Sequence, residues 1–216
     1  MSTIIANTEF TVSMTDWAQN LYNFIHPYDN RITLVSEKLR FNNKFSLRIK
    51  DTTDANFYLV RDDDSEIDLT GDCGYWTNGS TAVVKLIIRE NIFYISGYKK
   101  NDNNSGFAFM WITQDGVDYA GGYTQYGQEL TAVDDMTFYD AVNASTSPFN
   151  FKKIANYIVQ TPKIAFSSKT PFVNSGGEAT QIDNLASCST VAKSCTVTIG
   201  GKNYFAIGTN ILIQID

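Results

Sequence analysis

The sequence predicts a mainly β chain, an antiparallel β-sandwich or meander with one or two short helices. Three observations carry that expectation. Apolar and polar residues alternate through much of the stretch from Arg31 to about Gly122, the period of a strand with two different faces. Turn-forming pairs such as Asp115-Gly116 and Gly200-Gly201 separate successive alternating runs at hairpin spacing. Hairpins in succession predict a meander, because a parallel sheet would need crossover helices between its strands.

The first element is helical. Trp17, Leu21, Phe24 and Ile25 recur at i, i+4, i+7 and i+8, behind Ser13 and Thr15 as N-cap candidates and ahead of the break at Pro27. Its apolar stripe is expected to dock on the chain's own sheet, with a neighbouring subunit as the alternative.

Strands follow at Ile32–Ser36, Phe45–Ile49, Phe57–Arg61, Val83–Arg89, Ile92–Tyr98, Phe107–Thr113 and Val117–Ala120. In Val83–Arg89, Val84, Leu86 and Ile88 share one face and Lys85 and Arg89 the other, which predicts one wet side. Arg89-Glu90-Asn91 suits a tight hairpin, Lys99–Gly106 a long polar tip, and Asp115-Gly116 a type I′ turn. Phe107–Ile112 is apolar on both faces, with Phe107, Phe109 and Trp111 opposite Ala108, Met110 and Ile112. Such a strand is either central in a sandwich or covered by a partner.

Between Gly121 and Gly177 two readings compete. Ser147-Pro148 with Phe151, Ile154, Ala155 and Ile158 fits a short capped helix, whereas Tyr157-Ile158-Val159 fits a strand ending at Pro162. Ser175-Gly176-Gly177 reads as a linker. Beyond it, Cys195–Ile199, Gly200-Gly201 and Lys202–Ile207 make a hairpin, and Ile211, Ile213 and Ile215 share a face of a final strand. The expected division is residues 1–30 as an N-terminal segment with a short helix, 31–174 as the main β domain, and 175–216 as a hairpin region packed on or beside it.

Charge excludes some partners. The net charge is −6, and residues 51–72 hold eight acids against the one base Arg61, so nearly all of the imbalance is local. No basic stripe is available to displace counterions from phosphates, which argues against nucleic acid and against an anionic membrane surface. No apolar run approaches the roughly 18 residues of a membrane span, and residues 1–6 lack the pattern of a secretory signal, so synthesis in the cytoplasm is expected.

Catalytic chemistry has few carriers here. His26 is the one histidine, and no nucleophile elbow or phosphate loop accompanies it. Cys73, Cys188 and Cys195 contain no CxxC pair, so neither a zinc site nor any other cofactor is expected, and reduced thiols are the simplest reading; a Cys188–Cys195 bridge stays open for an oxidising compartment. The run Asp62-Asp63-Asp64-Ser65-Glu66-Ile67-Asp68 fails the EF-hand pattern, which needs glycine and glutamate where Ile67 and Cys73 stand, and reads as an exposed loop. A glycosidase would need two acids facing across a groove, with Asp115 or Asp118 as candidates. Tyr75 and Trp76, with Tyr123 and Tyr126, sit among glycines and polar residues; as loop aromatics they could stack on a sugar or cap the β-core.

Pro171-Phe172-Val173-Asn174-Ser175-Gly176-Gly177, followed by Thr198-Ile199-Gly200-Gly201-Lys202-Asn203-Tyr204-Phe205-Ala206-Ile207-Gly208-Thr209-Asn210-Ile211-Leu212, resembles the C-terminal part of structural proteins of tailed bacteriophages. The resemblance implies a non-enzymatic virion component of the tail, baseplate, neck or head decoration. It would self-associate as a homo-oligomer and dock on other virion proteins, and no catalytic residue carries over. The alternative from the residues themselves is a carbohydrate-binding β-sandwich module using Tyr75, Trp76, Tyr123 and Tyr126.

Overall fold

Three antiparallel sheets and one short helix make up the described residues of the computed structural model, which are 4–49, 57–69, 80–100, 105–126, 136–144, 148–151, 158–160, 164–167, 170–174, 179–188, 195–208 and 211–216. In chain order, β1 (Ile4–Ser13) leads to α1 (Trp17–Ile25), then β2 (Ile32–Val35), β3 (Lys38–Phe41), β4 (Phe45–Ile49), β5 (Phe57–Arg61) and β6 (Glu66–Asp68). Longer strands follow as β7 (Thr81–Arg89), β8 (Ile92–Lys99), β9 (Ser105–Gln114) and β10 (Val117–Tyr126), then β11 (Thr137–Asp140) and β12 (Phe149–Phe151). The rest are β13 (Ile158–Gln160), β14 (Ile164–Ser167), β15 (Thr170–Asn174), β16 (Ala179–Ile182), β17 (Leu185–Cys188), β18 (Thr196–Ile199), β19 (Lys202–Ala206) and β20 (Ile211–Gln214).

Strands β2 to β6 pair in sequence order as a five-stranded meander. A nine-stranded sheet runs β1-β7-β8-β9-β10-β11-β12-β15-β16, and a six-stranded sheet runs β13-β14-β17-β20-β19-β18. Every pairing among the described residues is antiparallel. The mainly β, antiparallel class read from the sequence is therefore the one the chain adopts. None of the described helices is long and apolar enough to cross a membrane.

The nine-stranded sheet is the middle layer. On one face Val84, Leu86, Ile95, Phe109 and Trp111 pack with Leu39, Phe41, Phe45, Leu59 and Leu21, so the five-stranded sheet and α1 cover that side. On the other, Ile87, Tyr94, Met110 and Ile112 pack with Leu185, Phe205, Ile211 and Ile213 of the six-stranded sheet. The two apolar faces of β9 are both filled by the chain itself, and no partner is needed to cover them. Phe41 centres the first core, with ring centroids 5.3 Å from Phe45, 5.3 Å from Phe93, 5.2 Å from Phe109 and 5.5 Å from Trp111. Such ring pairs add about 0.5–1.5 kcal/mol each beyond the area they bury.

Several expectations change in detail. The second face of β7 is not wet: Ile87 and Arg89 are buried, and Lys85 lies half-buried with Nζ 4.9 Å from the Phe205 ring centroid. The six-stranded sheet covers this face, and the Arg89 guanidinium donates to the main-chain oxygens of Gln214 at 2.5 Å and Asp216 at 3.2 Å. Burial of the guanidinium is thus offset by hydrogen bonds to the main chain.

Helix α1 starts at Asp16 in a left-handed conformation (φ 49°) with no side-chain cap, so neither Ser13 nor Thr15 caps it. Ser13 instead accepts from the Thr15 amide at 3.2 Å, and the turn is closed by Asn20 Nδ2 donating to Thr15 O at 2.6 Å. The docked face is Ala18, Leu21 and Ile25 with Trp17 beside it, and Phe24 falls outside it. Phe149–Phe151 and Ile158–Gln160 are strands, so the helix reading fails at residues 149–151 and the strand reading holds at 158–160, while 152–157 lie outside the described residues. The linker at 175–177 also lies outside them, as do residues 101–104 of the polar hairpin tip.

Candidate functional site

In a meander alternate turns fall at the same end of the sheet. Glu90-Asn91 joins β7 to β8 and Asp115-Gly116 joins β9 to β10, so both turns sit at one end of the central layer. The second turn has φ 52° at Asp115 and φ 80° at Gly116, the positive pair that a type I′ hairpin requires. The Asp183-Asn184 turn between β16 and β17, with Asn184 at φ 65°, arrives at the same place from the chain's last third.

These turns line a groove of about 480 Å³ together with Lys202, Tyr204 and Gln214 of the six-stranded sheet. Side-chain amides stitch its walls. Asn91 Nδ2 donates to Asp183 O at 3.1 Å, Asn184 Nδ2 donates to Asn91 Oδ1 at 2.9 Å, and the Asp183 amide donates to Gln114 Oε1 at 3.2 Å. Below them the Gln214 amide donates to Asn184 O at 3.0 Å, and the Thr113 amide to Asn91 O at 2.9 Å. Burial, aided by the charge of Asp216, pushes the Tyr204 hydroxyl pKa up, so Tyr204 remains a neutral hydrogen-bonding group at the base of this groove.

A second groove, of about 450 Å³, shares Glu90 and runs past Ile5, His26 and Tyr28 to Arg31. Arg31 fixes its wall: Nε and Nη2 donate to Asp29 at 2.8 and 2.7 Å, Nη1 donates to Glu90 O, and the guanidinium lies 4.8 Å from the Trp111 ring centroid. His26 closes α1, its amide donating to Tyr22 O at 2.9 Å and its ring stacked on Tyr22 at 4.9 Å. The residue is exposed and serves the helix end.

Of the aromatic quartet read from the sequence, the described residues place only Tyr123 and Tyr126. Tyr75 and Trp76 lie outside the described residues. Tyr123 and Tyr126 belong to strand β10 and not to a loop, and Tyr123 is half-buried against the second core. Glycines at 121 and 122 suggested a turn, but β10 needs them for close approach: a Cβ at Gly121 would stand 2.8 Å from Phe138 Cδ1, and one at Gly122 would stand 2.8 Å from Leu69 Cβ.

The two acids considered for glycoside hydrolysis part company. Asp115 is exposed on the groove's rim, whereas the Asp118 carboxylate is buried and accepts from Trp111 Nε1 at 2.9 Å, Thr113 Oγ1 at 2.8 Å and Lys44 Nζ at 2.7 Å. The acidic run is only partly a loop, since Glu66–Asp68 pairs with β5 as β6, and Glu66 and Asp62 bind Arg48 and Arg40 at 2.5 and 2.8 Å. Cys188 is buried and Cys195 half-buried, both as thiols, while Cys73 lies outside the described residues.

Sequence reasoning missed the 480 Å³ groove. Each of its turns is visible as a strand boundary, but their gathering depends on how β17 to β20 lie on the central sheet, which no local pattern encodes. Comparison with known proteins finds no matching family model, no matching curated protein and no matching solved structure.

Proposed function

We propose that this chain is a non-enzymatic structural component of a tailed-phage virion, acting by self-association and by docking on other particle proteins. The observation that carries this reading is a group of exposed large hydrophobic side chains on β1, on α1 and just past the end of α1. Of the six large hydrophobic side chains exposed among the described residues, Ile5 (45%), Phe24 (41%) and Tyr28 (45%) belong to this one region. Ile5 and Tyr28 line the same groove, and Phe24 stacks on Phe10 of β1 at 4.3 Å.

The strand beside that patch supports the same reading. Among the described residues β1 is paired on one side only, by β7, and in ten residues it carries the single charge of Glu9 and no proline. Monomeric proteins usually blunt such an edge with lysine, proline or a cover, because its backbone groups accept a further strand. The register breaks between Ile4 and Ala6, so residues 7–13 are the regular part of this edge, and it suits a protein whose neighbours complete its surface. The resemblance of the C-terminal phrase to phage structural proteins supports the same reading; within it, Gly200 and Gly201, at φ 59° and 76°, form the hairpin between β18 and β19.

Sedimentation velocity across a concentration series tests the proposal. Association is expected, weakened at least tenfold in the double variant Ile5→Asp, Tyr28→Asp, and mass spectrometry of purified particles is expected to contain the chain. A strict monomer at high concentration with no affinity for other particle proteins would overturn it.

A further inference from the structure

We infer that the 480 Å³ groove between the central and six-stranded sheets is a binding site for a neutral or amino-bearing saccharide. The inference stands apart from the assembly patch, which lies around Ile5 and Tyr28 in the other groove. Its volume falls within the roughly 300–1,000 Å³ of small-molecule sites.

The groove's chemistry selects the ligand class. A sugar hydroxyl both donates and accepts, and it is best met by groups of mixed character held in fixed positions. Amides do both, carboxylates accept and an ammonium donates; the groove offers Asn91, Gln114 and Asn184, then Asp115 and Asp183, then Lys202. The three cross-wall bonds at 2.9–3.2 Å hold the side chains of Asn91, Gln114 and Asn184 and the main chain of Asp183 before any ligand arrives, which lowers the ordering cost of binding. The carboxylates of Asp115 and Asp183 and the ammonium of Lys202 sit on exposed residues at the rim.

Two other ligand classes fit less well. Glu90, Asp115 and Asp183 outnumber Lys202, so a phosphate or an acidic sugar would meet like charge. Among the described residues no three His, Cys, Asp or Glu side chains converge as a metal ion would require. Leu185 and Tyr204 close the floor from beneath and are buried, at 0% and 4% exposure, so the groove meets a ligand chiefly with polar groups and has no room for a lipid chain on an apolar floor.

The experiment is a printed oligosaccharide array probed with the labelled full chain, followed by titration calorimetry with the best-retained oligosaccharide. Retention of neutral or amino sugars over acidic ones is expected, and Asp183→Ala and Lys202→Ala are each expected to weaken binding about tenfold, the loss typical of a hydrogen bond to a charged group. Both side chains are exposed, and the melting temperature of each variant verifies its fold. The Ile5→Asp, Tyr28→Asp variant should bind saccharide normally, which separates this site from the assembly surface. No retention on the array, preference for acidic sugars, or unchanged affinity in both groove variants would overturn the inference.

Discussion

Asp118 illustrates how a residue type alone misleads about role. In the sequence it is an acid two residues after a glycine turn and an eligible catalytic carboxylate. In the fold its side chain is 1% exposed and three donors converge on it, from Trp111, Thr113 and Lys44. Lys44 is 74 residues away in the chain, so nothing local could reveal the pairing. The Lys44 side chain is 42% exposed and can turn to water, which makes the charge pair a small part of the whole. The neutral donors are costlier to strand, since the indole N–H of Trp111 is buried with the carboxylate. Asp118→Ala is therefore expected to destabilise the chain by about 2–4 kcal/mol, and Lys44→Met by less than about 1 kcal/mol. Urea denaturation of both variants checks the asymmetry; equal losses would mean that the ion pair, and not the indole bond, holds this corner.

At the scale of elements, legibility tracked how strongly each turn and face announced itself. Phe45–Ile49 and Phe57–Arg61 are read from the sequence with the bounds the structure gives, because the first alternates, the second is a short apolar and aromatic run, and polar residues flank both. Strand β3 went unread because its hairpin turns through Ser36 and Glu37 at φ 46° and 61°, and neither residue type signals a left-handed pair. Strand β1 went unread because its inward positions include Ala6 and Thr8, too weakly apolar to mark a period of two. In β8, Gly97 shows what the register demands: it stands opposite Phe107, and a Cβ there would lie 2.5 Å from that ring. The ring cannot easily retreat, since Phe57 packs 5.1 Å away on its far contact and Phe107 is fully buried. Gly97→Ala should cost about 1–3 kcal/mol by overpacking, and adding Phe107→Leu should restore part of that loss. A Gly97→Ala chain with an unchanged denaturation midpoint would show that β8 and β9 are not packed in this way.

For the whole molecule, the decisive feature is that one sheet is floor to one core and ceiling to another. Phe109 and Met110 are neighbours in β9, yet Phe109 belongs to the core shared with the five-stranded sheet and Met110 to the core shared with the six-stranded sheet. The alternation Phe107-Ala108-Phe109-Met110-Trp111-Ile112 makes this two-sidedness visible in the sequence, whereas the identity of each cover was not, since it depends on segments far away in the chain. Strands β7 to β9 cannot lose one layer without exposing apolar surface to water, so both cores should fail together. Phe109→Ala is expected to cost about 3–5 kcal/mol and Met110→Ala about 2–5 kcal/mol, both lowering one common transition. In a background with Trp17 and Trp76 replaced by Phe, Trp111 fluorescence reports the first core and far-UV circular dichroism reports all three sheets, so coincident midpoints are the expected signature. A dichroism transition that persists after the fluorescence change is complete, in the Phe109→Ala chain, would mean that the six-stranded layer and the central sheet stand without the five-stranded one, and the middle sheet would then be a junction of two cooperative units.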